Sequence, residues 1–237
     1  MEKETILGVD VSQATYDELA AQLLQDIEQK RKSFIVAINP EKIMKAQEDE
    51  GLRKLLNQAD YQIPDGIGVI LASKLKGGKI HERVTGIDMM LKLCEVAEKN
   101  DKRIFLYGAK PGIADEAKNK LQEMFPALQI AGTLHGYEKD PEVIATTIND
   151  AKPDILFVAL GSPAQEKWII ANKDQLYPFV YQGVGGSFDV ISGRIERAPE
   201  RFQKLGLEWL YRLLKEPWRL KRQLVLPKFL LKAIVKK

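Results

Sequence analysis

The chain has 237 residues, 45% of them hydrophobic, with a single cysteine and a formal net charge of +3. That composition can fill a core, and it excludes global disorder, an internal disulfide and any cysteine-based metal cluster. The charge is uneven: Trp209 to Lys237 carries nine Lys or Arg against one acid, Glu216, a net of +8, so the first 208 residues sum to −5.

The first residues, Met1-Glu2-Lys3-Glu4, are charged, and no signal-peptide apolar region follows. No apolar run approaches the roughly 20 residues needed to span a bilayer. From Thr5 to about Gly193 strand-like and helix-like segments alternate. Thr15-Tyr16-Asp17-Glu18 is a capping box that opens an amphipathic helix to about Lys30. Ser33 to Ile38 reads as a buried strand and Pro40 onward as helix. Glu48-Asp49-Glu50 falls in a helix connection, as a solvated acidic face. Tyr61-Gln62-Ile63 is a short strand; helices follow to about Lys74 and from about Gly86 to Lys99. Cys94 lies on the apolar periodicity of the second, which predicts a buried structural thiol. Arg103 to Tyr107 is the next strand, with a helix from Pro111. Leu128 to Ala131 and Ile155 to Leu160 are strands around a helix near Pro141 to Asn149. A helix begins near Pro163, and Phe179 to Gln182 is the last clear strand. Beyond about Arg197 only basic helical segments remain.

Strands separated by helices predict an α/β fold: a Rossmann-like, largely parallel sheet with helices on both faces. Residues 1–195 are expected to form this domain, and 196–237 a basic helical C-terminal appendage. The appendage mixes its cations with Trp209, Leu210, Tyr211, Leu213, Leu214 and Trp218. A membrane surface selects that mixture, and so does a nucleic acid or a partner subunit.

In open parallel sheets, ligands bind beyond the C-terminal ends of the strands. Five polar segments fall there: Asn39-Pro40, Pro64-Asp65-Gly66, Gly108 to Gly112 with Lys110, Gly161-Ser162-Pro163-Ala164-Gln165-Glu166, and Gly183 to Asp189. Each has a purely structural explanation, since Asn39, Asp65 and Ser162 are all good helix caps; all five together point to one shared cleft. No G-x-G-x-x-G, no G-x-x-x-x-G-K-[ST] and no G-x-S-x-G occurs. His81 and His135, the only histidines, fall in loops where solvated side chains are expected. There is no Asp-x-Asp and no clustered metal-ligand set.

What remains is a lone acid, Asp65, with the amides Asn39 and Gln165 and the cation Arg83. One carboxylate suits a general base acting on an attacking hydroxyl, amides suit sugar hydroxyls, and arginine suits phosphate. Without a metal, a departing diphosphate needs such cations. In the tail, Arg212, Lys215, Arg219 and Arg222 are spaced as one helical face if Pro217 is tolerated, which fits a solvated basic face equally well.

The chain resembles the WecG/TagA/CpsF glycosyltransferase family over nearly its whole length. The resemblance is carried by Phe34 to Lys42, Pro64-Asp65-Gly66-Ile67, Arg83-Val84-Thr85-Gly86, Gly161-Ser162-Pro163 with Gln165-Glu166, Gly183-Val184-Gly185-Gly186 with Asp189-Val190, Arg197-Ala198-Pro199, and Gly206 to Leu213. Some members carry Thr where this chain has Ala37. The resemblance implies inverting transfer of N-acetylmannosamine from its UDP donor to a GlcNAc joined through diphosphate to a polyprenol, in cell wall polymer synthesis. It implies no cofactor, no metal and no nucleic-acid partner. It places the protein in the cytoplasm, peripheral on the inner face of the membrane at an anionic lipid surface. On matching positions Asp65 is the base. Asn39, Arg83, Ser162, Gln165, Arg212, Arg219 and Arg222 would contact sugars or phosphates. Gly108, Lys110, Gly161, Gly185, Gly186 and Asp189 would shape the nucleotide pocket. The apolar tail faces also predict self-association in solution. Competing readings are a transferase of the corresponding uronic acid, a nicotinamide-dependent oxidoreductase, and a non-enzymatic membrane or nucleic-acid adaptor.

Overall fold

The computed structural model describes residues 1–215 and 225–235. Its centre is a six-stranded sheet in the order β4-β3-β8-β7-β5-β6, every neighbouring pair parallel. The strands are β3 (Ser33–Ile38), β4 (Tyr61–Pro64), β5 (Arg103–Gly108), β6 (Gln129–Leu134), β7 (Ile155–Ala159) and β8 (Val180–Gly183). Ahead of them, β1 (Lys3–Ile6) and β2 (Val9–Ser12) form an antiparallel hairpin. The sequence pattern does not anticipate this hairpin. Its two-residue turn, Leu7-Gly8, has positive φ at both positions, the geometry that matches the twist of a tight hairpin.

The central strands are apolar on both faces because both are covered. In β3, Phe34, Val36 and Ile38 belong to one buried cluster and Ile35 to the other; β5 and β7 divide in the same alternating way. The first cluster contains the hairpin, α2 (Pro40–Ala46), α3 (Glu50–Asn57), α4 (Ile67–Leu75), α7 (Pro141–Ala151) and α8 (Ala164–Asn172). The second contains α1 (Tyr16–Glu28), α5 (Gly86–Lys99), α6 (Ile113–Met124) and α9 (Ser187–Ile191). The capping box on α1 forms as expected, Thr15 accepting from the Glu18 N–H. Cys94 is fully buried in the second cluster, which pushes its thiol pKa up.

Three described helices follow: α10 (Glu200–Lys204), α11 (Glu208–Lys215) and α12 (Val225–Val235). The last docks on α2 and α4. Phe229 and Ala233, both without solvent exposure, join the first core cluster. No described helix is long and apolar enough to cross a membrane.

From β3 the chain moves outward to β4, whereas β8, on the other side of β3, is reached from β7. The helices that follow β3 and β8, α2 and α9, pack on opposite faces of the sheet, which opens a crevice above the C-terminal ends of the two strands.

Candidate active site

A cleft of about 810 Å³ occupies that crevice. Its floor is Asp65, between the end of β4 and α4. Asp65 does not cap α4: the cap position is Gly66, with no side-chain hydrogen bond. Its own N–H is tied to the Ile38 carbonyl at 2.8 Å, and Oδ2 is 3.5 Å from the Gly86 N–H. The residue is partly open to the cleft but its carboxylate is enclosed by protein on the remaining sides. That desolvation raises its pKa above the ordinary carboxylate range, against the Gly86 N–H, Arg83 and Lys42, which favour the charge.

Asn39 is both a cap and a cleft residue. Its Oδ1 accepts from the Lys42 N–H at 2.9 Å at the start of α2, and Pro40 fills the first helical position. The cap also sends the next turn of α2 along the cleft. There Lys42 Nζ pairs at 2.7 Å with Glu166, which has no solvent exposure. Glu166 Oε2 is buried with no hydrogen-bond partner among the described residues. Gln165, buried beside it, accepts from the Gly185 N–H at 3.0 Å and so ties the start of α8 to the loop after β8. Neither Lys42 nor Glu166 stands out in the sequence as a site residue. The available signal was that Lys42 follows a capping Asn by three residues, on the first turn of a helix aimed at the cleft.

On the opposite side, Arg83 is not a free cation. Its guanidinium donates to Glu208 of α11 at 2.7 Å. Arg197 bridges Glu208 at 3.4 Å and Asp88 at 2.7 Å. Burial works against the Asp88 charge, but hydrogen bonds from Arg197 and Thr85 outweigh it and hold the pKa down. The Thr85 N–H donates to the Tyr16 hydroxyl at 2.7 Å, and burial pushes that phenol up to about 12. Neither Glu208 nor Arg197 was among the expected site residues, because partners over a hundred positions away in the chain leave no local pattern.

The cleft therefore joins Asn39, Asp65, Arg83, Ser162, Gln165, Gly185 and Gly186, together with Trp209, Tyr211 and Lys215 of α11. A side chain added at Gly185 or Gly186 would project into open space. Ser162 lines the cleft but does not cap α8, whose cap position is Pro163 without a side-chain hydrogen bond. Gly108, Lys110, Gly161 and Asp189 do not line it. Gly108 has a structural explanation: its φ is +124°, and a Cβ there would lie 2.5 Å from the Ala159 carbonyl oxygen on the paired strand. Lys110 and Gly161 are exposed, and the Asp189 carbonyl accepts from the Ile195 N–H at 2.9 Å. Arg212 falls in α11; its side chain, like Arg219 and Arg222, lies outside the described residues.

The sequence model described as the glycosyl transferase WecG/TagA/CpsF family matches residues 4–237. The chain is 43% identical over 209 residues to N-acetylglucosaminyldiphosphoundecaprenol N-acetyl-beta-D-mannosaminyltransferase of Bacillus subtilis (strain 168), covering 88% of this chain and 81% of that one. A protein of the same name from Staphylococcus aureus (strain MW2) is 35% identical over 233 residues, 97% of this chain and 91% of the relative.

Proposed function

This chain belongs to the WecG/TagA/CpsF glycosyltransferase family, and from that premise we propose that it transfers N-acetylmannosamine from UDP to the GlcNAc of a polyprenyl diphosphate, with inversion and without a metal. The observation that carries the reading is the Asp65 carboxylate. It caps no helix, is raised in pKa, and is set at the floor of a cleft with Lys42 and Arg83 near enough to act on its charge.

The chemistry follows from those groups. Asp65 takes the proton of the acceptor hydroxyl as its oxygen bonds to the donor's anomeric carbon. The bond from that carbon to the diphosphate breaks, its electron pair leaves with UDP, and attack from the opposite face inverts the centre. A raised pKa makes Asp65 a stronger base than an ordinary carboxylate. Lys42, fixed by Glu166, and Arg83, once the substrate displaces Glu208, supply positive charge where the departing diphosphate gathers its own. The basic tail and the apolar surface of α12 suit work at an anionic membrane, where a polyprenyl acceptor resides.

The test is UDP release from UDP-N-acetylmannosamine with a lipid-diphosphate GlcNAc acceptor. Asp65→Asn is expected to lower turnover by about 100- to 10,000-fold, and near-normal turnover would refute the base. In the native chain kcat/KM should rise with pH through an acid limb above the ordinary carboxylate value of about 4. Turnover is expected to persist in EDTA; loss that magnesium restores would overturn the metal-free mechanism.

A further inference from the structure

The lining of the cleft is of two kinds. Asn39, Asp65, Arg83 and Gln165 are polar; the apolar side is built from Pro40, Ile67, Gly68, Val225 and Leu226. The apolar side is closely packed. A Cβ at Gly68 would lie 2.5 Å from Leu226 Cδ1 and 2.6 Å from Pro40 Cγ, so α2, α4 and α12 meet there with no gap between them.

From this wall an apolar surface runs outward. Ile67, Leu71 and Leu75 recur at four-residue spacing and share one stripe of α4. Leu71 is 39% exposed and Leu75 58%. On α12, Phe229 and Ala233 face the core, while Leu231, Ile234 and Val235 are 69%, 53% and 77% exposed. Isolated surface aliphatics need no explanation, but Leu71 and Leu75 continue a stripe whose first member, Ile67, lines the cleft. Neither helix contains an acid; their charged residues are Lys74, Lys228 and Lys232. A surface of branched aliphatics and cations suits an uncharged hydrocarbon with an anionic head.

We propose that the α4–α12 face is the track along which the isoprenoid chain of the acceptor leaves the cleft, its first units lying against Leu226, Ile67, Leu71 and Leu75. The proposal rests on the reading of the acceptor as a polyprenyl diphosphate. When the hydroxyl of the acceptor sugar lies at Asp65, the isoprenoid chain joined to that sugar through the diphosphate must cross one wall of the cleft. The α2–α4–α12 wall is apolar, and the Ile67–Leu71–Leu75 stripe of α4 continues outward from it. Along α4 the stripe extends roughly 12 Å at 1.5 Å per residue.

The test uses the full chain and the double variant Leu71→Glu/Leu75→Glu. Both side chains are exposed, and an unchanged melting curve confirms the fold. Two acceptors carry the same sugar-diphosphate head, one on a farnesyl chain and one on an ethyl group. The variant is expected to raise KM about tenfold for the farnesyl acceptor and to leave kcat/KM for the ethyl acceptor unchanged. An equal effect on both acceptors, or none on either, overturns the track. Loss of binding to anionic phospholipid vesicles with an unaltered farnesyl KM also overturns it, and makes the face a bilayer-docking surface. If the native chain turns over neither acceptor, the proposed reaction fails. Titration with a fluorescent farnesyl diphosphate analogue still decides the track: about tenfold weaker binding by the variant supports it, and equal binding refutes it.

Discussion

Asp65 and Asn39 show how two side chains of the same shape at one kind of position acquire different work. Both stand at the end of a parallel strand and before a helix, and both have side chains suited to capping. Asn39 accepts from the Lys42 N–H, whereas Asp65 leaves α4 uncapped and stays at the cleft floor. Leaving a carboxylate there has a stability consequence. The folded state raises its pKa, so it holds the proton to higher pH than the unfolded chain does. Ionisation therefore weakens folding as pH rises from the ordinary carboxylate value of about 4 through the raised one. Asp65→Asn is expected to melt above the native chain at neutral pH, with the difference closing below about pH 4. Equal melting at neutral pH would mean the carboxylate is not desolvated. The Lys42–Glu166 pair makes the opposite case. Lys42→Met strands a fully buried carboxylate that already has one unpartnered oxygen. A loss of about 3 kcal/mol in urea unfolding is expected, with Glu166→Gln in the same chain restoring most of it. Asp65 and Asn39 were legible in sequence because strand ends can be located there. Lys42, Glu166 and Glu208 were not, since a counter-ion is chosen by proximity in space.

At the scale of elements, periodicity carried most of the information. β3 and α5 run over the residues their patterns predicted, Ser33–Ile38 and Gly86–Lys99. An apolar run bounded by Asn-Pro, and a capped apolar helix ending in charge, are unambiguous local signals. The hairpin of β1 and β2 escaped because four-residue strands around Leu7-Gly8 offer too few alternations to register. α12 carries apolar residues around most of its circumference, so sequence alone does not say which stripe is buried. Docking on α2 and α4 buries Phe229 and Ala233. Phe229→Ala is expected to cost about 3 to 5 kcal/mol in chemical denaturation. A cost below about 1 kcal/mol would mean that α12 opens independently of the body.

For the molecule as a whole, the parallel sheet with two covered faces is legible in the sequence, since buried parallel strands and intervening helices admit few other arrangements. The family could be read as well, because its motifs are short contiguous strings at strand ends. Strand order was not available in that way. The placement of β8 beside β3 brings Gly185 to the crevice where Asp65 lies, although 120 positions separate them in the chain. Nor did the +8 charge of the last 29 residues reveal that its described part lines the cleft with Trp209, Tyr211 and Lys215 and enters the core through Phe229. Local sequence encodes which segments bury an apolar face and which end in a turn, because those depend on neighbouring residues. Folding alone selects which strand ends share a crevice and which charges pair across it, because those follow from packing whole elements together.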